Sequence, residues 1–159
     1  MGGSRGHQKQ HGLCESVARR VAIAIGRDER LMSQALLIDS DILIDHLRKE
    51  QSALDYIQHE IDDGSPLFIS VISRIEILSG ARKGEDETIR SLFDILTSVD
   101  VDLTIADEAG EYMRKFLKSH ALSIGDAVIA ATAKEMGMKL VTRNIKHYPM
   151  KDVDIVKPY

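Results

Sequence analysis

From Ala35 onward, short apolar runs alternate with longer segments of helical period, and this rhythm constrains the fold more than any other feature of the chain. Residues 35–38, 67–70, 99–103, 139–142 and 154–156 read as strands. The first is apolar throughout, as a strand covered on both faces must be. Helical patterns fill the gaps, over residues 41–48, 52–61, 71–81, 86–96, 107–119 and 126–136. Within 52–61, Leu54, Ile57 and Ile61 share one face, and Asp62-Asp63-Gly64-Ser65-Pro66 ends the helix. Within 86–96, Ile89, Leu92, Phe93 and Leu96 recur at helical spacing, and Gly137 stops the last helix. A β-α-β alternation predicts an α/β fold: three layers, α/β/α, with a mostly parallel central sheet. Ligands of such sheets bind beyond the carboxyl ends of the strands.

The 159 residues suit one domain with a sizeable core. No apolar run approaches the roughly 20 residues of a membrane helix, so no membrane role is expected. The lone Cys14 excludes an intramolecular disulfide and a cysteine metal cage, which fits a reducing cytoplasm. Residues 1–31 differ from the rest. They carry six basic and three acidic residues, a balance of +3 against a total of −4, which leaves −7 for residues 32–159. Residues 1–12 are rich in Gly, His and Gln and read as disordered, and 16–25 fit a short helix of poor period. The expected organisation is an extension over 1–31 and a functional domain over 32–159. The acidic body argues against non-specific coating of nucleic acid.

Three carboxylates stand out in apolar or small-residue surroundings. Asp39 follows the first apolar run, Glu76 lies between Ile75 and Ile77 with Ile72 and Leu78 expected to be buried, and Asp126 opens a helix rich in alanine. Each has a plain alternative role: Asp39 as a helix cap, Glu76 as a surface residue, Asp126 as a complement to a helix dipole. Burying three acids is costly unless a cation offsets them. Their oxygen donors suit Mg²⁺ or Mn²⁺.

The motifs around these acids resemble the PIN-domain ribonucleases, specifically the VapC-type toxins of toxin–antitoxin pairs. The opening motif is Leu37-Ile38-Asp39-Ser40-Asp41-Ile42-Leu43-Ile44. The second runs from Ile69 to Gly80 around Glu76, and the third is Gly125-Asp126-Ala127-Val128-Ile129-Ala130-Ala131-Thr132-Ala133. Leu140-Val141-Thr142-Arg143-Asn144-Ile145-Lys146-His147-Tyr148 completes the set. The resemblance covers residues 35–158 and implies a PIN-like fold with Asp39, Glu76 and Asp126 as metal ligands. It puts the family's fourth acidic position on Asn144, a neutral oxygen donor. Asp41 stands where the family has Asn, and His147 where it often has Asp. The implied activity is Mg²⁺- or Mn²⁺-dependent cleavage of RNA. Ser40 and Thr142 would position water or phosphate oxygens, and Arg143 and Lys146 would grip the RNA backbone. The implied partners are a cognate antitoxin and a second copy of the chain in a homodimer.

Two other readings stay open on the sequence. Ile38-Asp39-Ser40-Asp41 also matches the nucleophile motif of haloacid-dehalogenase-type phosphatases. That family needs a further acid soon after its late aspartate; residues 127–134 hold none, and Glu76 would have no role. A non-catalytic PIN module that binds RNA or protein would tolerate Asn144 in place of an acid.

Overall fold

The computed structural model describes residues 34–159. The expectations for residues 1–31 therefore lie outside the described residues. The elements run β1 (Leu36–Ile38), α1 (Ser40–Leu47), α2 (Gln51–Asp62), β2 (Leu67–Ser70), α3 (Val71–Ser79), α4 (Asp86–Ile95), β3 (Thr97–Val99), α5 (Leu103–His120), α6 (Ile124–Met136), β4 (Lys139–Val141) and β5 (Ile155–Val156). A 3₁₀ turn, Ile145–His147, lies between the last two strands. The sheet has the order β3-β2-β1-β4-β5, and every pairing is parallel.

Side-chain alternation along the strands divides the core into two layers. Leu36 and Ile38 of β1, with Leu67 and Ile69 of β2, face Ile42, Leu43, Ile57, Ile77, Ile89 and Leu92 from α1 to α4. Leu37, Phe68 and Leu140 point the other way, onto Ile105, Ala109 and Tyr112 of α5 and the alanine-rich face of α6. Helices thus cover both faces, as the apolar strands require.

The topology places the functional edge. From β1 the chain builds outward through β2 to β3, then returns to β4 on the other side of β1. The strand order therefore reverses between β1 and β4, and the crevice beyond their carboxyl ends is where such sheets take ligands. Asp39 leaves β1 at that point, its N–H donating to Val141 O at 3.0 Å, and Thr142 leaves β4 beside it.

The strand expected over 99–103 sits earlier, at Thr97–Val99, and Leu103 begins α5. The Asp102 carboxylate accepts from the Ile105 N–H at 3.0 Å, a helix cap that overrides the β-like alternation of Val99, Val101 and Leu103. Leu103 is left 82% exposed as a result.

Candidate active site at the switch point

Asp39 is both a cap and a site residue. Its Oδ1 accepts from the Ser40 N–H at 2.7 Å and starts α1, so the plain reading of this residue holds as well. Its Oδ2 accepts from the Tyr148 hydroxyl, also at 2.7 Å, and the side chain is 5% exposed. Bonds to both oxygens hold the carboxylate in place. Burial, reinforced by the charge of Asp41, raises the Asp39 pKa to about 6, against opposing hydrogen bonds from Tyr148, Thr142 and Ser40.

Asp41 lies one residue further into α1. Its Oδ2 accepts from the Arg143 N–H at 2.9 Å and from Thr142 Oγ1 at 3.3 Å, which ties α1 to the end of β4. Its Oδ1 is buried with no hydrogen-bond partner among the described residues. Asp126 enters from the opposite helical layer. Ser123 caps α6 by accepting from the Asp126 N–H at 3.0 Å, and its hydroxyl donates to Asp126 Oδ2 at 2.7 Å. This reciprocal cap fixes the acid at the helix N-terminus, where the dipole favours its charge. His147 Nδ1 stands 3.7 Å from the same Oδ2.

Glu76 differs from expectation. It is exposed, Leu78 is 54% exposed, and Ile72 is only partly covered. The helix buries its Ser73–Ile77 face instead. Glu76 nevertheless reaches the site's neighbourhood: a Cβ on Gly125 would lie 3.3 Å from Glu76 Oε1. The missing side chain at 125 is what lets α3 bring this acid beside the start of α6.

The Tyr148 phenol is buried against Asp39. Burial, then the charge of Asp39, and more weakly those of Asp126 and Asp41, push its pKa far above the ordinary value, so it remains a proton donor. The loop 142–148 thus touches three acids: Asp41 through Thr142 and Arg143, Asp39 through Tyr148, and Asp126 through His147. Among the described residues, no three His, Cys, Asp or Glu side chains form a ready-made metal group. The donor set still fits a hard divalent cation. It is all carboxylate oxygen, it includes the unpartnered Asp41 Oδ1, and Mg²⁺ commonly takes one or two carboxylates and completes its shell with water.

The substrate-binding expectations divide. Ser40 and Thr142 lie at the two strand ends as anticipated. Lys146 is exposed. Arg143, expected to grip RNA, turns its guanidinium away: Nε is 2.9 Å from Asp45 Oδ2, and the Tyr159 hydroxyl donates to the same oxygen at 3.1 Å. Asn144 is exposed, and its backbone N–H donates to Thr142 Oγ1 at 3.1 Å. Asp45 and Tyr148 carried no signal as site residues in the sequence. An Asp three residues before a helix end looks solvated, and a Tyr in a polar turn looks like a lid on the core.

Fold and site together define an α/β domain that gathers carboxylates at the switch point of a parallel sheet. A family model described as the PIN domain matches residues 36–154, and the chain belongs to that family. Ribonuclease VapC10 of Mycobacterium tuberculosis is 39% identical to it over 116 residues, 72% of this chain and 86% of that protein. Ribonuclease VapC19 of the same species is 34% identical over 124 residues, 77% of this chain and 98% of that protein. A chain of a toxin–antitoxin complex from Klebsiella pneumoniae shares the fold with a TM-score of 0.64 and 26% identity, covering 79% of this chain and 98% of that one. The family agrees with the resemblance read from the motifs. The phosphatase reading, which left Glu76 without a role, is not favoured.

Proposed function

We propose that this chain is a metal-dependent endoribonuclease, acting in the cytoplasm as the toxin of a toxin–antitoxin pair. The observation that carries the reading is the convergence of Asp39, Asp41 and Asp126 on the loop 142–148 at the switch point, with Glu76 beside the start of α6. Kinship with VapC10 and VapC19, both named ribonucleases, supports RNA as the substrate, and the Klebsiella complex supports an antitoxin partner.

Asp39 and Asp126, with Glu76 and Asp41 nearby, would hold Mg²⁺ or Mn²⁺. When bound, the ion supplies Lewis acidity toward a phosphoryl oxygen and lowers the pKa of a coordinated water. The protein's own residues do the positioning. Tyr148 and Ser40 hold the Asp39 carboxylate from two sides, Ser123 holds Asp126, and the end of β1 and the start of α6 present them to a phosphodiester in the crevice. The catalytic domain is residues 32–159, and residues 1–31 are dispensable for cleavage. The chain acts as a homodimer. Ile61 on α2 and Ile95 on α4 are 41% and 47% exposed and give those helices apolar surface for a second copy, although Ile57, Ile89 and Leu92 are spent on the chain's own core.

The test is cleavage of single-stranded RNA with and without chelator, for wild type and for Asp39→Asn, Glu76→Gln and Asp126→Asn. Each substitution removes a metal-binding charge and is expected to lower the rate by at least about 100-fold. Chelator-resistant cleavage, or variants as active as wild type, would defeat the proposal.

A further inference from the structure

The acidic centre has a basic neighbour. A notch of about 50 Å³ opens between α1 and α3, lined by Ile44, Leu47, Arg48, Glu76, Arg82 and Glu85 among others. Glu76 belongs to both places: its carboxylate faces Gly125 on one side, and its side chain walls the notch on the other. Arg48 closes α1, and Arg82 lies in the turn after α3. Both are exposed, and neither forms an ion pair among the described residues. Glu85, the remaining acid of the notch, turns its Oε2 to the Arg82 backbone N–H at 2.7 Å. Lys49 and Lys83, each next in sequence and each exposed, extend the positive surface.

A cation at a helix C-terminus complements the dipole, which accounts for Arg48 alone. It does not account for Arg82, which lies beyond the Gly80 cap of α3 yet lines the same notch. Arg48 and Arg82 line one notch without carboxylate partners among the described residues, which leaves both guanidinium groups available to an anion. Arginine matches phosphate with paired N–H donors.

Resting on the ribonuclease reading, we infer that this notch binds a backbone phosphate of single-stranded RNA next to the bond being cleaved. The acids hold the scissile phosphodiester, and the strand passes Glu76 to place a flanking phosphate on Arg48 and Arg82. The arginines therefore set affinity and the direction of the strand, not the chemistry.

The experiment measures binding of a fluorescein-labelled single-stranded oligoribonucleotide to the full chain. Asp126→Asn serves as the cleavage-silent background in Mg²⁺, and salt is varied from about 50 to 200 mM. Arg48→Ala and Arg82→Ala are each expected to weaken binding about tenfold and to flatten the slope of log K against log salt by about 0.7, the double variant by about 1.4. Lys139→Ala, at the amino end of β4 and so on the side of the sheet opposite the crevice, should leave the slope unchanged. Equal slopes for the arginine variants and their parent would overturn the inference. So would arginine variants that keep RNA affinity but no longer capture the protein co-purifying with the wild-type chain, because the notch would then be a protein-docking site. Absence of RNA cleavage by the wild type would instead strike at the ribonuclease reading itself.

Discussion

At the scale of single residues, the fold works against Asp39. Its pKa of about 6 in the folded chain exceeds the 3.8 of a free side chain, chiefly because it is buried. The folded state therefore holds this proton more tightly than the unfolded one. The group's contribution is most favourable below about pH 4 and is lost as pH rises through about 6. Above that range an ionised, buried carboxylate is retained at a stability cost. Asp39→Asn should accordingly stabilise the chain at pH 7.5, by about 1–2 kcal/mol after allowing for one compromised hydrogen bond. The gain should shrink toward pH 4, with cleavage abolished throughout. Denaturant melts at the two pH values check it, and a variant less stable at pH 7.5 would contradict it. Tyr148→Phe makes the complementary case. The ring stays packed, so the melting temperature should hold within a few degrees. The ionised form of Asp39 loses a donor, so its pKa should rise further, and the acid limb of the kcat/KM profile should move to higher pH by about half a unit to one unit. An unmoved limb would mean that the hydroxyl does not position Asp39.

At the scale of elements, most of the fold was legible because fully apolar strands and helical spacing are different periods. Asp39 was legible because it follows a buried strand, and Asp126 because it opens an alanine-rich helix. Glu76 was legible as a motif position and misread as buried. Ile75 and Leu78 are 60% and 54% exposed, and apolar neighbours in sequence do not fix which face of a helix is covered. Asp45 and Tyr148 were invisible because their partners lie 98 and 109 residues away. The junction of α3 and α6 yields a prediction of its own. Gly125 has no positive φ, so alanine fits its backbone, but the new Cβ would lie 3.3 Å from Glu76 Oε1. Gly125→Ala should favour helix α6 by up to about 1 kcal/mol while pushing the Glu76 carboxylate aside. The expected result is an unchanged or higher melting temperature with cleavage reduced about tenfold. If activity survives intact, the close approach of Glu76 to Gly125 has no role in holding the acid in place.

At the scale of the whole molecule, charge distribution links the site to its control. Residues 32–159 carry −7, and Asp39, Asp41 and Asp126 all meet the loop 142–148 at the carboxyl ends of the strands, with Glu76 near the start of α6. A field of that sign draws in a basic protein segment and speeds its capture. A positively charged side chain delivered into the crevice would compete with a divalent ion for the same carboxylates, silencing cleavage without unfolding the domain. The same potential opposes RNA, so a ribonuclease of this charge needs its cations concentrated where the strand passes, as at Arg48 and Arg82. Inhibition should therefore be sensitive to salt in a way that inhibition by apolar contact alone would not be. Expression of the chain alone should arrest growth, and co-expression with its cognate antitoxin should restore growth. Stopped-flow mixing of the two purified proteins should show an association rate that falls at least about tenfold between 50 and 200 mM salt. The dissociation rate should change little, because contacts within the crevice are shielded from solvent ions. A salt-independent association rate would place the inhibitor's docking on the exposed apolar residues instead, with Ile75 and Leu78 of α3 the first to test.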